Sequence, residues 1–200
     1  MMKMDPGLIV LGRGQALAAK RNHFEAAAGG ADKRAVAEAA LAAIRYADPA
    51  AWTTATAVAR AIAPLRDAVL DAHDRVGVIV TGAEGPVEAM AAMNEATKSG
   101  SSSPIRFPAS NAGSLVGISS IGFTFRGPTL MLTMPPERGV SIGMLLAEAW
   151  IRRGHADYVI LAATCRVEEK PAARSLLLGA KGVAETPLER DARWLAAEAR

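Results

Sequence analysis

The sequence has little of what many functional sites are built from. One cysteine, Cys165, stands among 200 residues, so no disulfide can form within the chain. A single thiol fits a reducing compartment, and a cytoplasmic protein is expected. Aromatic residues make up only 4%, too few for a platform on which single-stranded bases would stack. The net charge of +3 is scattered rather than gathered in a run, so nucleic acid is not an expected partner. No stretch of about 18 uncharged apolar residues occurs, so no membrane span is expected. The opening Met1-Met2-Lys3-Met4-Asp5-Pro6 lacks the apolar core of a secretion signal. His23 and His73 have no thiol or carboxylate at ligand spacing, so neither a metal nor a cofactor is implied.

What the chain has is aliphatic: half of it is hydrophobic and alanine dominates. Its length suits one domain, 1–200, with helices packed closely on a flat surface. Leu8-Ile9-Val10-Leu11 reads as a first strand ending in the turn Gly12-Arg13-Gly14. A dinucleotide fingerprint would need a third glycine where Leu17 stands, which argues against that reading. Residues 15–73 read as helices. Asp32 can cap one carrying Val36, Ala39, Ala40 and Ile44, which Asp48-Pro49 ends, and another runs from about Trp52 to Asp71 with a kink or break at Pro64. Val76–Val80 is a second strand. Pro86 suits the first turn of a helix whose Val87, Met90 and Met93 face inward. Ile105 to Phe107 reads as extended, and Asn111 opens a helix that stops at Gly122.

The most informative stretch is Gly127–Ala163. An apolar run, Thr129-Leu130-Met131-Leu132-Thr133, reads as a buried strand, followed by a tight turn over Met134–Gly139. A helix carries Val140, Met144, Ala147 and Ile151 at helical spacing, and Gly154 stops it. Tyr158–Ala163 is the next strand, completing a βαβ unit. In α/β enzymes a sharp strand-to-helix turn often presents the nucleophile. Here the turn holds Pro135, Pro136, Glu137 and Arg138, with no Ser, Thr or Cys between Met134 and Gly139. Cys165 follows a strand rather than such a turn, and a structural role is expected for it. Leu188–Ala199, with Trp194 and Leu195, reads as an amphipathic helix. The pattern implies a layered α/β domain.

Several of these residues carry a resemblance. Phe107, Pro108, Asn111 and Ala112, then Gly122, Arg126, Gly127 and Pro128, then Gly139, Ile151, Arg152, Gly154, Ala156 and Asp157 stand in the order found in β-ketoacyl synthases. The chain thus resembles the amino-terminal half of these condensing enzymes, more weakly from about Leu8 to Glu168. The resemblance implies a thiolase-like half, a layered α/β single domain with a mixed sheet. It places the family's catalytic cysteine at Pro136 or Glu137, neither of which can attack a thioester as a thiolate does. The family's two histidines belong to carboxy-terminal motifs that these residues do not contain.

The implied role is that of a chain-length-factor-like partner without catalysis of its own. It would form a heterodimer with a full-length ketosynthase, served by acyl carrier protein, in type II polyketide, polyene or fatty-acid-like biosynthesis. By the same resemblance Thr129, Leu130, Met131, Leu132 and Thr133 lie at the dimer interface. Glu84, Arg106 and Phe107 reach the acyl tunnel. Glu84 and Arg106 would pair with each other, face a polar end of the channel, or sit on an ordinary surface. Two other readings stand beside it: a small hydrolase or decarboxylase using Glu137 with Arg138 nearby, and a degenerate structural subunit.

Overall fold

In the computed structural model the described residues are 8–29, 46–101, 104–180 and 188–197. The helix expected from Asp32 lies outside them. The first strand, β1, spans Leu8–Leu17 and runs straight through Gly12-Arg13-Gly14, where the sequence suggests a turn. Helix α1 is Arg21–Ala27, and α2 is Pro49–Ile62. The two β1 glycines lie directly beneath α2. A Cβ on Gly12 would come within 2.0 Å of the Ala61 carbonyl oxygen, and one on Gly14 within 1.9 Å of that of Ala57. They serve close helix–strand contact, not chain reversal.

Asp48-Pro49 starts α2, three residues before the Trp52 that the sequence suggests. Pro49 has no N–H to leave unsatisfied, and Asp48 caps the helix by accepting from the Ala50 amide at 2.8 Å. Along α2 the buried Thr53, Thr54 and Thr56 each donate to the carbonyl four residues earlier at 2.8 Å. Their hydroxyls are thereby satisfied inside the core. Pro64 breaks the helix as expected: a 3₁₀ turn at Ala63–Leu65 leads into the short α3, Arg66–Asp71.

β2 is Val76–Thr81, α4 is Val87–Lys98 and α5 is Ser114–Phe123. Helix α4 departs from expectation, since Val87 and Met90 are 44% and 52% exposed and only Ala96 of the helix is buried. It lies outside the sheet layers, against a 3₁₀ segment at Pro104–Ser110, which replaces the extended Ile105–Phe107. The second carboxylate oxygen of Asp48 accepts from the Ala89 amide at 2.9 Å, so one buried aspartate serves the starts of both α2 and α4. α5 continues one residue past Gly122 and ends at Thr124, whose φ of 57° is left-handed.

β3 is Thr129–Leu132, α6 is Pro136–Arg152, β4 is Tyr158–Val167, β5 is Lys170–Ala180 and α7 is Leu188–Ala196. β4 is longer than the sequence suggests, and β5 was not expected at all. The hairpin between them turns on Glu168 and Glu169, both at positive φ (48° and 63°). That is the backbone of a tight hairpin turn, but without the usual Asn or Gly to announce it. The sheet order is β1-β5-β4-β2-β3, with β3, β2 and β4 mutually parallel and β5 antiparallel to both β4 and β1.

Each face of this mixed sheet carries its own core. On one, Val78, Val80, Ile160 and Leu177 meet Phe24, Trp52, Ile62, Leu115 and Phe123 from α1, α2 and α5. On the other, Ile79, Leu161, Leu176 and Leu178 meet Val140 and Met144 of α6 and Leu195 of α7. At the amino ends of β2 and β4, the Arg75 guanidinium grips Asp157 through Nε–Oδ2 and Nη2–Oδ1 contacts of 2.7 and 2.6 Å. This bidentate bond holds the Asp157 carboxyl below the usual carboxylate range.

Candidate functional site

Strands β2, β3 and β4 point the same way, so their carboxyl ends meet at one rim of the sheet, where α6 begins. In parallel α/β folds that rim is where ligands gather. The junction is tighter than the sequence suggests: the helix starts at Pro136, not Val140. Pro135 occupies the capping position and Pro136 the first turn, where a missing N–H costs nothing. Glu137 places an acidic side chain at the positive end of the helix. The Thr81 hydroxyl, at the end of β2, donates to the Met134 carbonyl at 3.2 Å and ties the junction down. Gly139 is required there, because a Cβ would fall 1.7 Å from the Thr81 hydroxyl oxygen.

Beside this junction lies a cavity of about 390 Å³, whose walls include Pro136, Glu137, Cys165, Gln15, Arg174 and Leu195. Cys165 therefore shares a space with Pro136 and Glu137. In the sequence the two stand apart, because the apolar run of β4 stops at Ala163; four further residues of strand carry Cys165 to the rim. Its side chain is half-buried. His155 stands before β4 and Cys165 near its end, roughly 20 Å or more apart along a strand. Glu137 and Arg138 are exposed, Pro136 half-buried. Among the described residues no group of three or more His, Cys, Asp or Glu side chains could hold a metal ion.

The other expected site residues lie elsewhere, and apart from one another. Glu84 is exposed in the turn after β2, its carboxylate 3.9 Å from Arg166, which also approaches Glu88 at 3.9 Å and Glu169 at 3.8 Å. Arg106 is exposed and stacks over the Tyr46 ring, 5.0 Å from its centre. The structure thus does not join Glu84 to Arg106. Phe107 is 63% exposed and lines an apolar groove of about 460 Å³ with Tyr46, Pro108, Ile118 and Ile121.

β3 is the sheet's short edge. It pairs with β2 alone, and its residues are half-buried or exposed rather than buried. Thr133 lies just beyond it and is exposed. The Pro128 and Leu132 carbonyls accept from Val78 and Gly82, so they face β2. By the alternation of a strand, Met131 turns its own N–H and C=O outward, away from the sheet.

A mixed five-stranded sheet carrying helices on both faces, with a βαβ unit at one side, defines a thiolase-like domain. Comparison with protein-family models and with curated proteins gives no match. Solved structures do match. One is a chain of the AntDE:AntF assembly, a type II polyketide synthase acyl-carrier protein in complex with its ketosynthase bound to the hexaketide. The TM-score is 0.63 at 15% identity, over 89% of this chain and 64% of that one. A second belongs to the ketosynthase ApeO in complex with its chain length factor ApeC from Xenorhabdus doucetiae, with TM-score 0.57 and 16% identity, covering 88% and 79%. A third is a β-ketoacyl synthase from Burkholderia phymatum STM815, with TM-score 0.63 and 13% identity, covering 96% and 62%. The chain has the thiolase-like fold of these proteins and spans about two-thirds of the length of the first and third. Among the described residues no helix is long and apolar enough to cross a membrane.

Proposed function

We propose that this protein is a chain-length-factor-like partner of an active ketosynthase and carries out no condensation itself. It acts in cytoplasmic polyketide, polyene or fatty-acid-like biosynthesis, with acyl carrier protein reaching the complex through the ketosynthase. The observation that carries this reading is the open edge of β3, four residues long and apolar at its centre, with the outward-facing backbone of Met131 unpaired by the sheet. Such an edge is suited to pairing with a strand of another chain. Thr129–Thr133 is the proposed interface, and the solved neighbours include ketosynthase–chain-length-factor assemblies. The junction beside that edge supports the absence of catalysis, since Pro136 offers no nucleophile and Glu137 no thiolate. Glu84, Arg106 and Phe107 are proposed to border the acyl tunnel; for Phe107 the support is its place on an apolar groove.

Acyl carrier protein bearing a radiolabelled acyl chain tests the proposal. Incubated with this protein alone it should leave the chain unlabelled, and with an active ketosynthase present the label should appear on the ketosynthase only. Stoichiometric acylation of this chain, at Cys165 or elsewhere, would overturn the non-catalytic reading.

A further inference from the structure

We infer that the outward face of α6 is a docking surface for a helix of the ketosynthase partner, apolar along its middle and acidic at both ends; this rests on the heterodimer proposed above. Ile142, Leu145, Leu146 and Ala149 follow one another at i, i+3, i+4 and i+7, so they form one stripe along the helix. Ile142 and Leu145 are 40% and 39% exposed, and Leu146 and Ala149 are half-buried. The sheet does not need this stripe, because α6 buries Gly139, Val140, Gly143, Met144 and Ala147 on its other side. An apolar stripe with that spacing is what a second helix packs on.

The ends of the stripe set the partner's charge. Arg138 stands four residues before Ile142 and Arg153 four residues after Ala149, both exposed, so an arginine closes the stripe at each end. By the rise of a helix the two lie roughly 22 Å apart. The two carboxylates of α6 do not offset them: Glu137 faces the cavity, and Glu148 is held by Arg152 at 3.4 Å. A second copy of this chain is a poor occupant. Antiparallel pairing about the middle of the stripe sets Arg138 against Arg153, and parallel pairing sets each against itself, so like charges meet either way. Carboxylates at both ends of the incoming helix turn the same approach into attraction. The stripe also lies toward the open edge of the sheet. Glu137 looks across the cavity to β5 and α7, and Leu146, half a turn round the helix from it, looks the other way, toward β3. Leu130 and Leu132 of β3 are half-buried on that same side of the sheet. One partner can therefore pair with β3 and lay a helix on α6.

A copy of the chain carrying Arg138→Glu and Arg153→Glu supplies a stripe with acidic ends and serves as the probe. Mixed with the unaltered chain, it should form a one-to-one complex about tenfold tighter, or more, than either chain forms with itself in sedimentation equilibrium, and added salt should weaken it. Leu145→Lys in either chain should abolish that complex. Met131→Pro, which disables the β3 edge, should leave it intact. A mixture that associates no more tightly than either chain alone, or a complex indifferent to Leu145→Lys, overturns the inference. Against an active ketosynthase, the chain with both arginines reversed should bind roughly 30-fold more weakly, with its circular dichroism unchanged. Equal binding there would overturn the inference and leave the β3 pairing standing, whereas no binding even by the unaltered chain would remove the heterodimer and the inference with it.

Discussion

The sheet has two edges, and they are built to opposite ends. β1 is ten residues long, with a register break between Val10 and Gly12 that marks a bulge. Its glycines let α2 lie against it, and Arg60 of α2 donates to the Gln15 carbonyl at 2.5 Å. Bulge, helix cover and a charged side chain on a main-chain acceptor are the usual means of blunting an edge. β3 is four residues long with a regular register, and it faces outward with Leu130, Met131 and Leu132 half-buried. The bulge and the capped carbonyl at β1 have no counterpart at β3, and that difference is what the proposed pairing at β3 calls for. The same contrast separates α2, buried over most of its length, from α4, which leaves Val87 and Met90 in solvent.

The largest effect should come from breaking the protected edge. In Gly14→Val the new side chain meets the Ala57 carbonyl and the Ala61 amide, neither of which can move without shifting α2. A loss on the order of 3 kcal/mol, the upper end of overpacking costs, is expected in a denaturant titration. The open edge should behave differently. Met131→Pro removes an outward donor rather than a ladder bond, so the domain should keep its fold by circular dichroism, while binding to a ketosynthase partner should weaken about 100-fold or more.

Smaller effects lie away from both edges. Asp157 has its folded pKa depressed by Arg75, so its contribution is present above the ordinary aspartate value and is lost as pH falls through the folded one. The stability gap between the unaltered protein and Asp157→Asn should therefore narrow as the solution is acidified below that ordinary range. Salt should shrink the gap too, because both side chains are about half exposed. The smallest effect is expected from Glu137→Ala, which should leave the turnover of a reconstituted complex within several-fold. A fall of roughly 1,000-fold, the size of a lost catalytic group, would revive the enzyme reading.

Much of this was legible from residue order, and the failures have physical causes. β2, α6 and the first half of β4 announce themselves because their apolar runs and helical spacing agree with their burial, and β3 by its apolar run although, as an edge, it is only partly covered. Gly12 and Gly14 read as a turn because local pattern cannot show a helix lying on a strand from some 45 residues away. β5 was missed because Glu168 and Glu169 adopt left-handed backbone without turn-forming residues, held by pairing over the whole of β4. Met90 reads as inward on spacing alone, yet the sheet offers it nothing to pack on. Of the candidate site, the junction at Pro136 and Glu137 was legible. The approach of Cys165 to it depends on the full length of β4 and on strand direction, which only the fold supplies.

Hydrogen exchange at β3 tests the central claim most directly. In the free chain the outward amide of Met131 should exchange fast, and in a one-to-one complex with an active ketosynthase the amides of residues 129–133 should become strongly protected while those of β1 stay as they were. No complex, or a complex in which residues 129–133 exchange as fast as in the free chain, would contradict the account.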